Sequence, residues 1–375
     1  MTEYPSNFAD SSDSEYSWNV SYCKSDVEDL SSFAPIFILG VFVVGVLGNG
    51  SLIVISIMHK DMRTPPNLLI INMSLGDLLL FIFVVPDLVF FYLKGGWTSP
   101  LYLCKIIKLS QHITQGVSVL TFAALSYDRY EAIARPFSRR HAGWRHAGIR
   151  TLAIATTIWF ISFLFSLPAM LWAHIGECGD CRLPFHETHW KYYILVLFFA
   201  IYLLPFVAVF VFYTLTALVL VRDTGEIRGS VRGAADRRQS SRNRLAFVIL
   251  LAAILFAILW LPYYVHSLVF EFIPEEHMNS FFERFPFMFF LLDISYFCGL
   301  LSSCTNPILL YAVSSNYRRK LGFLFSGCPF LPKHQWTSAK SFTMMTIRTN
   351  SGTSNHNHRD SPQRNGEKTY YIQSG

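Results

Sequence analysis

Residues 303–311 read SCTNPILLY: the pair Asn306-Pro307 stands inside an otherwise apolar run. Proline removes a backbone donor and clashes with the preceding turn, at a cost of about 3 kcal/mol in a helix interior, and it kinks the helix that holds it. A polar, kinked step therefore asks for a purpose. The run around it extends from about 286 to 313, longer than the roughly 20 apolar residues that cross a hydrocarbon core.

Working outward, the chain offers six more such stretches, at about 33–58, 67–93, 104–134, 149–172, 190–221 and 245–271. The composition agrees: of 375 residues 52% are hydrophobic, 34 are Phe and only 15% are charged, against about 25% in an ordinary soluble domain. The expectation is an all-α membrane protein, a bundle of seven helices with its termini on opposite sides of the bilayer.

Loop charge sets the orientation, since short cytoplasmic loops collect Lys and Arg. Lys60 and Arg63 follow span one, Arg135, Arg139, Arg140 and Arg145 follow span three, and seven Arg from Arg222 to Arg244 follow span five. Arg318, Arg319 and Lys320 follow span seven. All four clusters lie on one side, read as the cytoplasm, and the protein is placed in the plasma membrane. The polar segment 1–32 then lies outside; lacking an apolar h-region it is not read as a cleaved signal peptide. Asn19 in Asn19-Val20-Ser21 is a glycosylation acceptor there.

Four of the seven cysteines, Cys23, Cys104, Cys178 and Cys181, fall on the oxidising side. A bridge from Cys104 to the loop between spans four and five would staple that loop over the bundle. Cys181 is favoured for it, with Cys23 paired to Cys178, although four cysteines allow three connectivities. The competing zinc site, Cys178, Cys181, His186 and His189, is spaced too tightly before its first His for the common finger pattern.

Ionisable groups at mid-bilayer cost about 2.5–3.5 kcal/mol and point to function. Asp77 stands near the centre of span two. Asn49, Ser118, Ser302, Ser303 and Asn306 on three other spans can converge on it and leave room for water and a sodium ion. Interhelical hydrogen bonding accounts for Asn49 alone; it does not require the carboxylate of Asp77.

Span three ends in SYDRYEAIARP, and this stretch resembles the signature of rhodopsin-class G-protein-coupled receptors. Asn49, Asp77, Asp128-Arg129-Tyr130, Trp159, Pro205 with Tyr213, Phe256 with Trp260 and Pro262, and Asn306-Pro307 occur in that family's order, one signature per helix, over residues 33 to 326. The resemblance implies that Asp128 restrains Arg129 at rest and that Arg129 later meets the G protein. It implies that Pro205, Pro262 and Pro307 kink helices that pivot, and that Phe256 and Trp260 form a packing switch with Val119. The position that holds an acid at the base of helix six in some members carries Arg242. The family tyrosine usually lies three residues past the last proline; here Leu310 stands there and Tyr311 follows, rotated by about 100°, as in receptors similar to the bombesin and endothelin groups. PPNLLIINMSLGDLLL and GVSVLTFAALSYDRYEAIARPF are similar to the bombesin branch, which includes the CCHamide peptide receptors.

Within that resemblance the ligand class narrows. Gln111 replaces the Asp of amine receptors, and Leu300 stands where an opsin has its Schiff-base Lys. The outer ends supply Asp87, Gln111, His112, Gln115, Tyr263, Tyr264, His266, Glu271, Asp293 and Tyr296 as candidate ligand contacts, an acidic and aromatic set that favours a cationic peptide. Vertebrate bombesin receptors carry an Arg where Tyr296 stands, so their ligand does not transfer directly.

Residues 316–328 alternate basic and apolar positions as a surface helix would, with Cys328 as a palmitoylation candidate. From 329 to 375 the chain is a polar tail of low folding capacity. Phosphorylation there by receptor kinases would recruit arrestin. The partners expected are a peptide, a heterotrimeric G protein coupled to phospholipase C, arrestin, the kinases and the lipid bilayer, with no nucleic acid. The chain catalyses nothing in this reading. A transporter would show internal inverted repeats, an intramembrane enzyme would show a nucleophile with a base or a carboxylate pair, and a scaffold would not require the ordered switch residues.

Overall fold

The computed structural model describes residues 34–94, 99–134, 143–176, 181–184, 187–226 and 234–325. Asn19, Cys23, Cys178, His186 and Cys328 lie outside them, as do the segment 1–32, the tail 329–375 and the side chains of Arg242, Asp293 and Tyr296.

Among the described residues seven long helices form one bundle: α1 Ala34–Met58, α2 Pro65–Lys94, α3 Leu101–Ala134, α4 Gly143–Trp172, α5, α6 Ala234–Phe272 and α7 Phe287–Val313. The fifth, α5, consists of Thr188–Leu197, a π-helical turn Phe198–Leu203 and Leu204–Glu226. A 3-10 turn Lys60–Met62 links α1 to α2, and a short helix Glu275–Arg284 links α6 to α7. After Val313 the chain turns through 99° into the surface helix α8, Ser315–Phe325. Prolines mark the starts that propensity predicts: Pro65 and Pro66 open α2, where a missing N–H costs nothing.

Helix α3 lies at the centre, packed on α2, α4, α5 and α6, while α7 closes the ring between α6 and α1. By length and apolarity alone α1, α2, α4, α5 and α6 qualify as membrane spans, and α7 with α8 makes a bent sixth. Helix α3 does not qualify, which corrects its sequence reading as an apolar stretch. It carries Lys105, Lys108, Asp128, Arg129 and Glu131. It also buries Ser110, His112, Thr114, Gln115, Ser118 and Thr121, because neighbours rather than lipid surround it. Helices α4, α5 and α6 also reach beyond their apolar segments into polar sequence, where hydropathy has no signal: α6 begins at Ala234 rather than 245.

Two glycines mark close approaches between helices. A Cβ on Gly45 of α1 would lie 2.0 Å from the Phe81 ring of α2, and one on Gly116 of α3 would lie 2.7 Å from Ser162 Oγ of α4. At one end of the bundle β1 His174–Ile175 pairs antiparallel with β2 Cys181–Arg182, Ile175 opposite Cys181. The disulfide Cys104–Cys181, with Cα atoms 5.6 Å apart, pins this hairpin to the start of α3. The Cys181 connectivity is thus the one present, and Cys181 has no thiolate left for zinc.

Candidate functional site

The polar residues occupy three levels between the hairpin end and the Arg129 end. At mid-bundle, Asp77 is buried and accepts a hydrogen bond from Asn306 Nδ2 at 3.0 Å. Asn49 Nδ2 donates to the Gly45 and Ser303 carbonyls, each at 3.0 Å, joining α1 to α7. The Ser118 and Ser303 hydroxyls neighbour the carboxylate. Asn49 Oδ1, Ser118 Oγ and Asn306 Oδ1 are sealed from solvent and find no hydrogen-bond partner among the described residues. A carboxylate beside unfilled oxygen donors is the chemistry that suits a small hard cation. Ser302 is drawn elsewhere: its hydroxyl accepts from Trp260 Nε1 at 3.1 Å and donates to Gly299 O at 2.7 Å.

That contact belongs to an aromatic stack on α6. The Trp260 and Phe256 ring centroids are 5.8 Å apart, and Phe256 meets Phe122 of α3 at 5.6 Å and Phe206 of α5 at 6.1 Å. Val119 is buried in the same cluster, and Pro205 is buried on α5. The proline of α6, Pro262, sits half a turn from Trp260, and Pro307 lies within α7 one residue past Asn306.

At the far end, Arg129 donates to Asp128 Oδ2 at 3.0 Å with both side chains buried. Tyr213 of α5 donates to Ala246 O of α6 at 2.8 Å, and Tyr130 packs 6.0 Å from Phe212. Leu310 is buried among Leu52, Ile55 and Tyr317. The displaced Tyr311 faces α1, its hydroxyl 2.8 Å from Ser51 Oγ. It meets α1 and α8 rather than Tyr213, as its rotation about the helix requires.

At the hairpin end the candidate ligand residues are mostly interior. Gln115 donates to the Tyr264 hydroxyl at 2.7 Å, across α3 and α6, and both are buried. His112 is buried, its Nδ1 2.9 Å from Lys108 O. His266 stacks on Phe270, and Glu271 is fully enclosed. Asp87, Gln111 and Tyr263 are half-buried, and Ser99 donates to Asp87 at 3.4 Å.

Sequence reasoning missed two positions here. Asn72 bridges three helices, donating to Thr121 Oγ1 at 2.9 Å and accepting from Trp159 Nε1 at 2.8 Å. Lys108, only 7% exposed, lies on α3 one turn from His112; an ionisable residue inside a span was the signal that could have found it.

The family model described as 7 transmembrane receptor (rhodopsin family) matches residues 48–310. The neuropeptide CCHamide-1 receptor of Drosophila melanogaster is 36% identical over 302 residues, covering 76% of this chain and 58% of its own length. The bombesin receptor subtype-3 of Ovis aries is 31% identical over 290 residues, 74% of this chain and 71% of that protein. A bombesin receptor of Bombina orientalis is 31% identical over 297 residues, with coverages of 74% and 72%. The chain thus spans less than two thirds of the first relative's length and more than two thirds of the other two.

Proposed function

Since this chain belongs to the rhodopsin family of seven-transmembrane receptors, we propose that it is a receptor for an extracellular neuropeptide of the bombesin or CCHamide kind. In this reading it signals through heterotrimeric G proteins that activate phospholipase C. The observation that carries the reading is that three relatives at 31–36% identity are receptors for such peptides. In this reading the hairpin end faces outside and the Arg129 end faces the cytoplasm, which the bias of short cytoplasmic loops towards Lys and Arg supports.

The geometry supports a route between the two ends. A peptide engaging the hairpin end presses on the Gln115–Tyr264 pair, which adjoins the Trp260–Phe256 stack one turn deeper on α6. Shifting Trp260 away from Ser302 lets α6 swing at Pro262. The swing parts Tyr213 from Ala246 and frees Arg129 from Asp128 to receive the G protein. The agonist selects this open arrangement by binding it better than the closed one. Asp77 with Ser118, Ser303 and Asn306 would hold a sodium ion, which supplies positive charge beside the carboxylate and favours the closed arrangement. The tail beyond the surface helix would take phosphates from receptor kinases and bind arrestin, and Cys328 would take a palmitoyl chain.

Intracellular calcium in cells expressing the full chain, challenged with CCHamide-1, bombesin and other short amidated or disulfide-cyclised peptides, tests this. A saturable response to one peptide at nanomolar concentration is expected. Silence across the panel, with surface expression verified and a promiscuous G protein supplied, would overturn the peptide assignment.

A further inference from the structure

Lys108 carries a charge that neither the cation site nor the switch uses. Its side chain is only 7% exposed, and it makes no ion pair or side-chain hydrogen bond among the described residues. Its ammonium is nevertheless not among the side-chain atoms sealed from solvent. It lies one turn inward from Cys104, whose bridge to Cys181 lays the hairpin over this end of α3. The half-buried Asp87 of α2 is within electrostatic reach of Lys108, held by Ser99 instead of by the ammonium. A positive and a negative group thus share the hairpin ends of α2 and α3 without closing on each other. Buried charges are ordinarily paired, so the arrangement awaits a bridging group.

The charge of that group follows from the site's own neutrality. A ligand carboxylate would gain Lys108 and be repelled by Asp87; a ligand ammonium would meet the reverse. A neutral group with an acceptor at one edge and donors at the other satisfies both. Resting on the peptide-receptor reading above, we propose that Lys108 and Asp87 form a subsite for a primary carboxamide of the ligand. The carbonyl oxygen accepts from Lys108 Nζ and the NH2 donates to Asp87. The carboxamide is a C-terminal amide or an Asn or Gln side chain.

The test uses CCHamide-1 and bombesin, each made as the C-terminal carboxamide and as the free acid, and each with Asn or Gln changed singly to Asp or Glu. Calcium EC50 values are taken on the wild type, Lys108→Gln, Lys108→Arg and Asp87→Asn, all normalised to surface expression. One amide-to-acid change should weaken the wild type by about tenfold or more, the range for losing a hydrogen bond to a charged group. In Asp87→Asn the same penalty should shrink below about threefold, because the repulsion is gone, and the peptide position at which it shrinks names the source of the carboxamide. Lys108→Gln should cost about tenfold with the amide form, and Lys108→Arg should recover part of it. An acid penalty unchanged by Asp87→Asn, or amide potency unchanged by Lys108→Gln, overturns the subsite while leaving the receptor reading intact. Silence of the wild type to every peptide overturns both.

Discussion

The Tyr311–Ser51 contact allows a stability prediction in which two substitutions at one hydrogen bond have unequal effects. Ser51 Oγ donates to Gly48 O at 2.8 Å within α1, so in its 2.8 Å contact with Tyr311 the phenol must be the donor. Tyr311→Phe therefore leaves Ser51 satisfied and removes one neutral bond, about 0.5–1.5 kcal/mol. Ser51→Ala instead strands a half-buried phenol hydroxyl, about 1–3 kcal/mol. The double variant strands nothing and should fall close to Tyr311→Phe alone, giving a coupling of about 1–3 kcal/mol, the cost of Ser51→Ala. Thermal unfolding of detergent-purified receptor reads this out at about 2–4 °C per kcal/mol for a domain of this size. Additivity of the two single changes, or Tyr311→Phe as the more damaging of them, would refute the assigned donor direction and the α1–α7 latch with it.

Gly116→Ala should lower thermal stability by about 1–3 kcal/mol through overpacking, because its Cβ would meet Ser162. Adding Ser162→Gly should restore much of the loss, and a second change that worsens it would show that the clash lies elsewhere. Asp77→Asn should flatten any sodium dependence of agonist potency when potassium replaces sodium; a dependence that persists would remove the cation from Asp77. The hydrogen bond from Lys320 holds the Asp61 carboxyl below its ordinary range. With the folded value depressed, the contribution is complete above the unfolded pKa of about 3.9 and is lost as pH falls through the folded value. The melting-temperature gap between wild type and Asp61→Asn should thus be constant from about pH 5 to 8 and close in strong acid; a gap that opens near pH 7 would assign it to another group.

Much of this molecule was readable because membrane burial speaks through composition. The seven stretches read from the sequence each fall on one of the seven long helices, and Pro262 and Pro307 fell inside helices as expected. Helix α3 was read too simply, since a helix shielded by four others needs no apolar coat. The Gln115–Tyr264 pair and the three-helix bridge at Asn72 depend on how helices cross, which no single-chain periodicity encodes. Ser302 was grouped with Asp77 by sequence neighbourhood, yet one residue of helical rotation delivers it to Trp260. Tyr311 is the converse: its rotation was legible from a single register shift, while Ser51 as its partner was not.

The π-helical turn Phe198–Leu203 has a consequence for comparing this chain with its relatives. It accommodates one extra residue in a helix that otherwise advances by 3.6 per turn, so everything on its hairpin side is rotated by about 100° relative to a continuous helix. That rotation turns Trp190, Tyr193, Ile194 and Leu197 to the interior and leaves Tyr192 and Val196 outward. A relative lacking the insertion would present a set displaced by one residue along the helix to the ligand instead. An alignment run without a gap through this segment would therefore match interior positions of one receptor to lipid-facing positions of another, and ligand contacts inferred from it on α5 would fall on the wrong residues.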